Sequence, residues 1–227
     1  MKRVGILCAS DTELAPFLEA MEVDRVTEKA LLRFHEGTIR EIPVVTVYSG
    51  VCKVNAAIAA ELLIEVFSVD AVVNAGTAGG LDPKVRLFDT VIAERSVYHD
   101  VAEDILTEFH PWMPSACFPS DKGLLSAAGR YAESAAHPVF FGTIATGEPF
   151  IENKGRERIL RKHSPLAVDM ETAAAAHVCY VNGVPFLSVR SITDTGEDSG
   201  VEVFEENCAR ASEIAAEAAM GLLQMWT

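Results

Sequence analysis

The sequence predicts an α/β fold: a single domain with a twisted mixed β-sheet flanked by helices. Three observations predict it. Short, near-continuous apolar runs (residues 4–9, 71–73 and 184–189) read as strands buried on both faces, the pattern of largely parallel sheets. Segments with apolar residues at helical spacing alternate with these runs. The chain has 227 residues, 49% of them hydrophobic, and no visible linker, so one domain spanning 1–227 can bury a full core.

Residues 4–9 form the first strand. Leu14, Phe17, Leu18 and Met21 then keep helical spacing, with Ser10 or Asp11 as cap and Glu13 in the first turn. Residues 34–40 and 42–49 read as two strands joined near Gly37 and Pro43. Residues 53–67 read as a helix that is apolar almost all round and therefore largely buried. Residues 71–73 are a central strand that 74–80 ends in a glycine-rich turn, and 90–97 is the next strand. Residues 99–119 keep no period, with prolines on both sides of Trp112. A long loop with one turn of helix is expected there, and such loops are usually functional or interfacial. There follow a helix (124–134), a strand (139–145), a short charged helix (155–162) and a strand (165–168). A helix over 173–181 ends at Asn182-Gly183, 185–191 is a strand, and 202–223 is a long amphipathic helix.

Composition excludes several function classes. A formal net charge of −14 repels nucleic-acid phosphate and anionic membranes, and otherwise serves solubility. Five scattered cysteines without CxxC spacing argue against a disulfide framework or a zinc site. Buried thiols in a reducing cytoplasm are the expectation. The N-terminal apolar run is too short for a signal sequence, and no run approaches a membrane span.

The chemistry gathers at strand ends, where an α/β sheet holds its ligands. Asp169-Met170-Glu171-Thr172 ends one strand and opens an alanine-rich helix. A carboxylate there suits the vicinal diol of a ribose, or simply complements the helix dipole. Arg190 and Asp194 end another strand. A buried arginine needs an anionic partner, so a structural salt bridge is one reading; Asp194 also suits a helix N-cap with Gly196 in its loop. In Asn74-Ala-Gly-Thr-Ala-Gly-Gly80, glycines permit close approach of a ligand and Thr77 adds a hydroxyl. The segment is neither GxGxxG nor a Walker loop, and a tight turn packed on a helix accounts for it equally.

Seven ordered motifs belong together: Ser49-Gly-Val-Cys-Lys-Val-Asn-Ala-Ala57, Asn74 to Leu81, Tyr98-His-Asp100, Thr146-Gly-Glu-Pro-Phe-Ile151, Ala167-Val-Asp-Met-Glu-Thr-Ala173, His177-Val-Cys179 and Val189-Arg-Ser-Ile-Thr-Asp194. With them the chain resembles the bacterial 5′-methylthioadenosine/S-adenosylhomocysteine nucleosidases of the nucleoside phosphorylase superfamily. The resemblance runs from Val4 to the C-terminal helix. It implies a nucleoside phosphorylase-like fold and hydrolysis of the N-glycosidic bond of a 5′-modified adenosine, with neither metal nor organic cofactor. Asp194 is then the general acid at adenine N7, Glu171 the group on the ribose hydroxyls with Met170 against the sugar, and Glu13 the base for water beside Thr77 and Arg190. Phe150 stacks on adenine, the Ile151 backbone reads its edge, and Val51 and Phe204 line the 5′-alkylthio pocket. Ala9, Ala78, Gly79, Asp169 and Thr193 complete the implied substrate site.

The resemblance also implies a homodimer, with the 99–119 loop at the interface. That loop carries Ile105, Leu106, Phe109, Trp112, Met113 and Phe118, large apolar groups that favour burial against a partner, the alternative being that the loop packs on its own domain. The expected partner is otherwise a small-molecule nucleoside, with no nucleic acid and no membrane. Cys52 stands where the family often has glycine, and residues 101–118 align poorly, so an aminodeoxyfutalosine-type nucleoside is an alternative substrate. A phosphorylase is the other enzyme alternative, but the turn from Ala9 to Glu13 is acidic and repels phosphate. A nucleoside-binding relative without activity is countered by the joint presence of Glu13, Glu171 and Asp194.

Overall fold

The computed structural model describes residues 2–226; Met1 and Thr227, the two ends of the expected 1–227 domain, lie outside the described residues. At its centre is β1 (Val4–Cys8), whose five residues are all buried. It runs parallel to β4 (Ile42–Tyr48) on one side and to β5 (Ala71–Gly80) on the other. Beyond β4 lies an antiparallel meander of β3 (Leu32–Ile39) and β2 (Met21–Lys29). The hairpin turns sit at Ala30-Leu31 and Arg40-Glu41, all with positive φ, the twist that two-residue hairpins require. Gly37 and Pro43, expected at the turn, lie inside strands instead. Gly37 is needed by close approach: a Cβ there would come within 2.0 Å of the Glu22 carbonyl, beside an irregularity in the β2–β3 register.

The other half of the sheet closes on itself. β5 pairs with β9 (Ala167–Asp169) and β10 (Phe186–Asp194). β9 pairs with β8 (Val139–Thr146), β8 with β6 (Thr90–Tyr98), and β6 with β10. Five strands thus form a ring, a closure that the predicted twisted mixed sheet does not include. Register shifts between Ala93 and Arg95 and between Ile192 and Asp194 bend the long strands enough to close it. The segment 74–80 is therefore no turn: β5 continues through it to Gly80.

The helices cover both faces. α1 (Asp11–Glu19), α4 (Lys122–Ala132) and α7 (Val201–Trp226) enclose one apolar cluster that includes Phe17, Leu124 and Leu222. α2 (Lys53–Glu65) and α6 (Thr172–Asn182) pack on the other around Leu63, Ala173 and Phe186. Contrary to expectation α2 is only half buried. Ala56, Ala59, Ala60 and Leu63 face inward, while Val54, Ile58 and Val66 face out, because one helix layer on a sheet buries a single stripe. The 99–119 segment holds the expected helical turn as α3 (Glu103–Thr107) and a short β7 (Cys117–Pro119) paired with β6. Leu106, Met113 and Phe118 pack on the domain, whereas Ile105, Phe109 and Trp112 are exposed. α5 (Asn153–His163) is the charged helix that follows β8.

Candidate active site

A cavity of about 270 Å³ opens where β1, β5, β9 and β10 end. Four carboxyl side chains face it, those of Glu13, Asp169, Glu171 and Asp194, and each is nearly inaccessible to water.

Glu13 is positioned by the start of α1. The Ser10 hydroxyl accepts from the Glu13 N–H at 3.2 Å and caps the helix, turning the Glu13 side chain across the end of β1. Glu13 Oε2 accepts from the Ala9 N–H at 2.6 Å. Oε1 accepts from the Thr77 N–H at 2.7 Å and from Thr77 Oγ1 at 2.8 Å. A Cβ at residue 76 would lie about 2.4 Å from this carboxylate, so only glycine lets it rest against β5. The glycine-rich segment serves the glutamate rather than a turn.

Asp169 and Glu171 are ordered by the start of α6. Asp169 caps that helix through the Thr172 N–H at 3.3 Å, also accepts from Thr172 Oγ1, and accepts from Thr146 Oγ1 at 2.5 Å. Arg190 Nη2 closes an ion pair with Asp169 at 2.7 Å, lies 3.6 Å from Glu171 Oε2, and donates to Asn74 Oδ1 at 2.6 Å. Glu171 makes no cap. Its Oε1 accepts from the Cys52 N–H at 2.9 Å, which Cys52 aims by adopting a φ of 83°. Burial pushes the Glu171 carboxyl up to about 8. Arg190 opposes the rise, and Asp169 and Glu13 reinforce it.

Asp194 ends β10, and no helix begins until Val201, so it is not an N-cap. Thr193 Oγ1 lies 3.0 Å from its Oδ1, and Arg156 Nη2 donates to its Oδ2 at 2.7 Å. Burial raises its proton affinity above the ordinary aspartate value; the Thr193 hydroxyl and Arg156 offset part of the rise.

The rest of the wall is apolar. Phe150 and Phe204 meet edge to face at 6.1 Å, and Val51, Ile151 and Met170 flank them. Ala9, Thr77, Ala78, Gly79 and Thr193 also line the cavity, so the structure brings together every expected site residue but one. Arg190 is the exception. It lies fully buried behind the wall, because a guanidinium without water must be neutralised by protein carboxylates. Ser10, Pro149, Val168 and Val201 line the cavity and were missed. Val201 had a signal, three residues before Phe204 on one helix face. The motifs around Asp100 and Glu148 build the rim: Asp100 accepts from Lys53 Nζ at 2.8 Å and from the Glu148 N–H at 2.9 Å. Among the described residues, no group of three or more His, Cys, Asp or Glu is arranged to hold a metal ion, and no helix is long and apolar enough to cross a membrane.

A family model described as the phosphorylase superfamily matches residues 3–224. The 5′-methylthioadenosine/S-adenosylhomocysteine nucleosidase of Geobacillus kaustophilus is 34% identical over 98% of this chain and 97% of its own. The chain belongs to the phosphorylase superfamily, and within it to these nucleosidases. Among solved structures of the superfamily, the Neisseria meningitidis nucleosidase in complex with methylthio-immucillin-A is 30% identical, with a TM-score of 0.90 over 99% of both chains. The futalosine hydrolase of Helicobacter pylori is 27% identical, with a TM-score of 0.88 over 98% of this chain and 97% of that one.

The raised Glu171 carboxyl has a consequence for stability. A carboxyl that binds its proton more tightly folded than unfolded contributes stability that is complete below about pH 4.5 and is lost as pH rises through about 8. Glu171→Gln keeps the neutral form at every pH. Its stability relative to wild type, measured by denaturant unfolding, is expected to rise from pH 5 to pH 8 and then level off. A difference independent of pH would contradict the assigned protonation.

Proposed function

We propose that the chain hydrolyses the N-glycosidic bond of 5′-methylthioadenosine, S-adenosylhomocysteine or a related 5′-modified adenosine and releases adenine. The observation that carries this reading is the pairing of two unlike carboxyl groups in one apolar cavity. Asp194 is buried and disposed to hold a proton, and Glu13 is clamped by three hydrogen-bond donors. The names of the relatives point the same way.

The bond between C1′ and N9 breaks through an oxocarbenium-like sugar. Adenine is a poor leaving group as an anion, so Asp194 gives its proton to N7 as the electron pair moves onto the base. Thr193 orients that carboxyl. Glu13, held by Ala9 and Thr77, positions water and accepts its proton as oxygen adds to C1′. The products are then the free 5-substituted ribose and neutral adenine. Glu171 binds the ribose hydroxyls while Met170 packs on the sugar. Phe150 stacks on the base, the Ile151 backbone reads its edge, and Ala78 and Gly79 give it room. Val51 and Phe204 receive the 5′-substituent. Arg190 acts through Asp169 and Glu171 rather than on the substrate. Residues 1–227 work as one nucleosidase domain, needing no organic cofactor and no metal.

Water is the nucleophile because, among the described residues, none that lines the cavity is Lys, Arg or His. Four carboxyl groups without a facing cation make a poor phosphate site. The five cysteines are free thiols, which suits a reducing cytoplasm. The exposed apolar side chains of Val54, Ile58, Ile105, Phe109 and Trp112 support a homodimer with the 99–119 loop at its interface.

Two experiments test the reading. Incubation with a panel of 5′-substituted adenosines, aminodeoxyfutalosine among them, is expected to release adenine and the free sugar, at a rate unchanged by tens of millimolar phosphate. Accumulation of a ribose 1-phosphate in proportion to phosphate would make the chain a phosphorylase. Sedimentation at micromolar concentration is expected to show a dimer, and a lone 24.5 kDa species would refute it.

A further inference from the structure

Resting on the proposed reaction, we propose that Arg156 is a positioning residue for the general acid, fixing the Asp194 carboxyl from behind the cavity wall and governing how readily it yields its proton.

α5 is amphipathic: Glu157 and Arg158 are exposed, while Ile159, three residues after Arg156 on the same face, is buried with Leu160 packed beside it. Arg156 turns inward and is 6% exposed. It is not part of the cavity lining, so it reaches Asp194 from the side away from the substrate. Nη1 donates to the Gly80 carbonyl and Nη2 to Asp194 Oδ2, while Nε is buried with no protein partner. Burying a guanidinium this way is costly, and the Gly80 carbonyl and the Asp194 carboxyl group that accept from it offset part of the cost. With Thr193 on Oδ1, both carboxyl oxygens are held, and the plane of the acid is set before substrate arrives.

The surroundings of Asp194 leave this role to Arg156. From β5, the uncharged Gly79 and Gly80 lie against it. From α7, the uncharged Asn207 donates to the Thr193 carbonyl. Asp89, before β6, accepts from the Arg86 N–H. Across the cavity stand Glu13, Asp169 and Glu171. Among the described residues, Arg156 is the cation paired with Asp194. Burial favours the protonated acid; Arg156 favours the carboxylate left behind when the O–H bond breaks and N7–H forms. A buried acid without that cation holds its proton too tightly to protonate a weakly basic purine nitrogen.

The test is the pH profile of adenine release by wild type, Arg156→Lys and Arg156→Met. Activity needs protonated Asp194 and so falls on the alkaline side. In Arg156→Met that limb is expected about one unit or more higher, as the loss of a buried opposite charge predicts. Its kcat is expected to fall roughly 10- to 100-fold, with KM within about threefold. Arg156→Lys is expected to recover the wild-type limb and part of the rate. In an Asp194→Asn background, Arg156→Met is expected to cost nothing further, since Arg156 acts through Asp194; this comparison is made with Arg156→Lys should the Met variant fail to fold. A wild-type limb and kcat in Arg156→Met, a loss confined to KM, or additive losses in the double variant would overturn the proposal and leave the hydrolase reading standing. Absence of adenine release by wild type would overturn both.

Discussion

A guanidinium shielded from all water is tolerable only where carboxylates and neutral acceptors surround it, and Arg190 is such a group. Its partners come from three segments: Asn74 on β5, Asp169 at the end of β9, and Glu171 and Thr172 at the start of α6, all reached from β10. Removing either side of such a pair strands a buried charge, at a cost of roughly 3–5 kcal/mol. The cluster therefore fixes where β9 and α6 sit against β5 and β10. It thereby fixes Glu171 and, through the same strands, the distance across the cavity between Glu13 and Asp194.

The same apolar enclosure gives chemically similar groups different tasks. Glu13 accepts three hydrogen bonds, which fix both of its oxygens. Asp194 gains proton affinity from burial, and Glu171 gains it from burial and from the negative charges of Asp169 and Glu13. Environments that push carboxyl groups apart are what acid–base catalysis at one site requires. Glycine at 76 and the Ser10 cap matter because they place a carboxylate against a strand rather than because they shape a turn.

Much of this was legible in the sequence for a physical reason. The fully buried β1 is apolar throughout, and runs rich in β-branched and aromatic residues mark β6 and β8, so 4–9, 90–97 and 139–145 stood out within a residue of their observed bounds. Glu171 and Asp194 stood out because strand ends are where ligands bind, whereas Glu13 was singled out by the family resemblance alone. The segment 74–80 was misread because glycine suggests a turn, and only the tertiary contact with Glu13 shows why a strand needs it there. Ring closure depends on register shifts in β6 and β10, which leave no periodic trace. α2 was expected to be buried because its outward apolar face is composed like an inward one. Arg156 gave little signal: it stands among the charges of α5, and only its place three residues before the buried Ile159 marks it as inward-facing.

The central claim is that Asp194 delivers the proton that lets adenine leave. It is tested most directly by the kcat of Asp194→Asn with 5′-methylthioadenosine, measured beside the affinity of the variant for the same nucleoside. The account predicts a loss of at least about 100-fold in kcat with affinity largely kept, since an amide fills the space but has no acidic proton. A variant that retains more than about a tenth of the wild-type rate would contradict it.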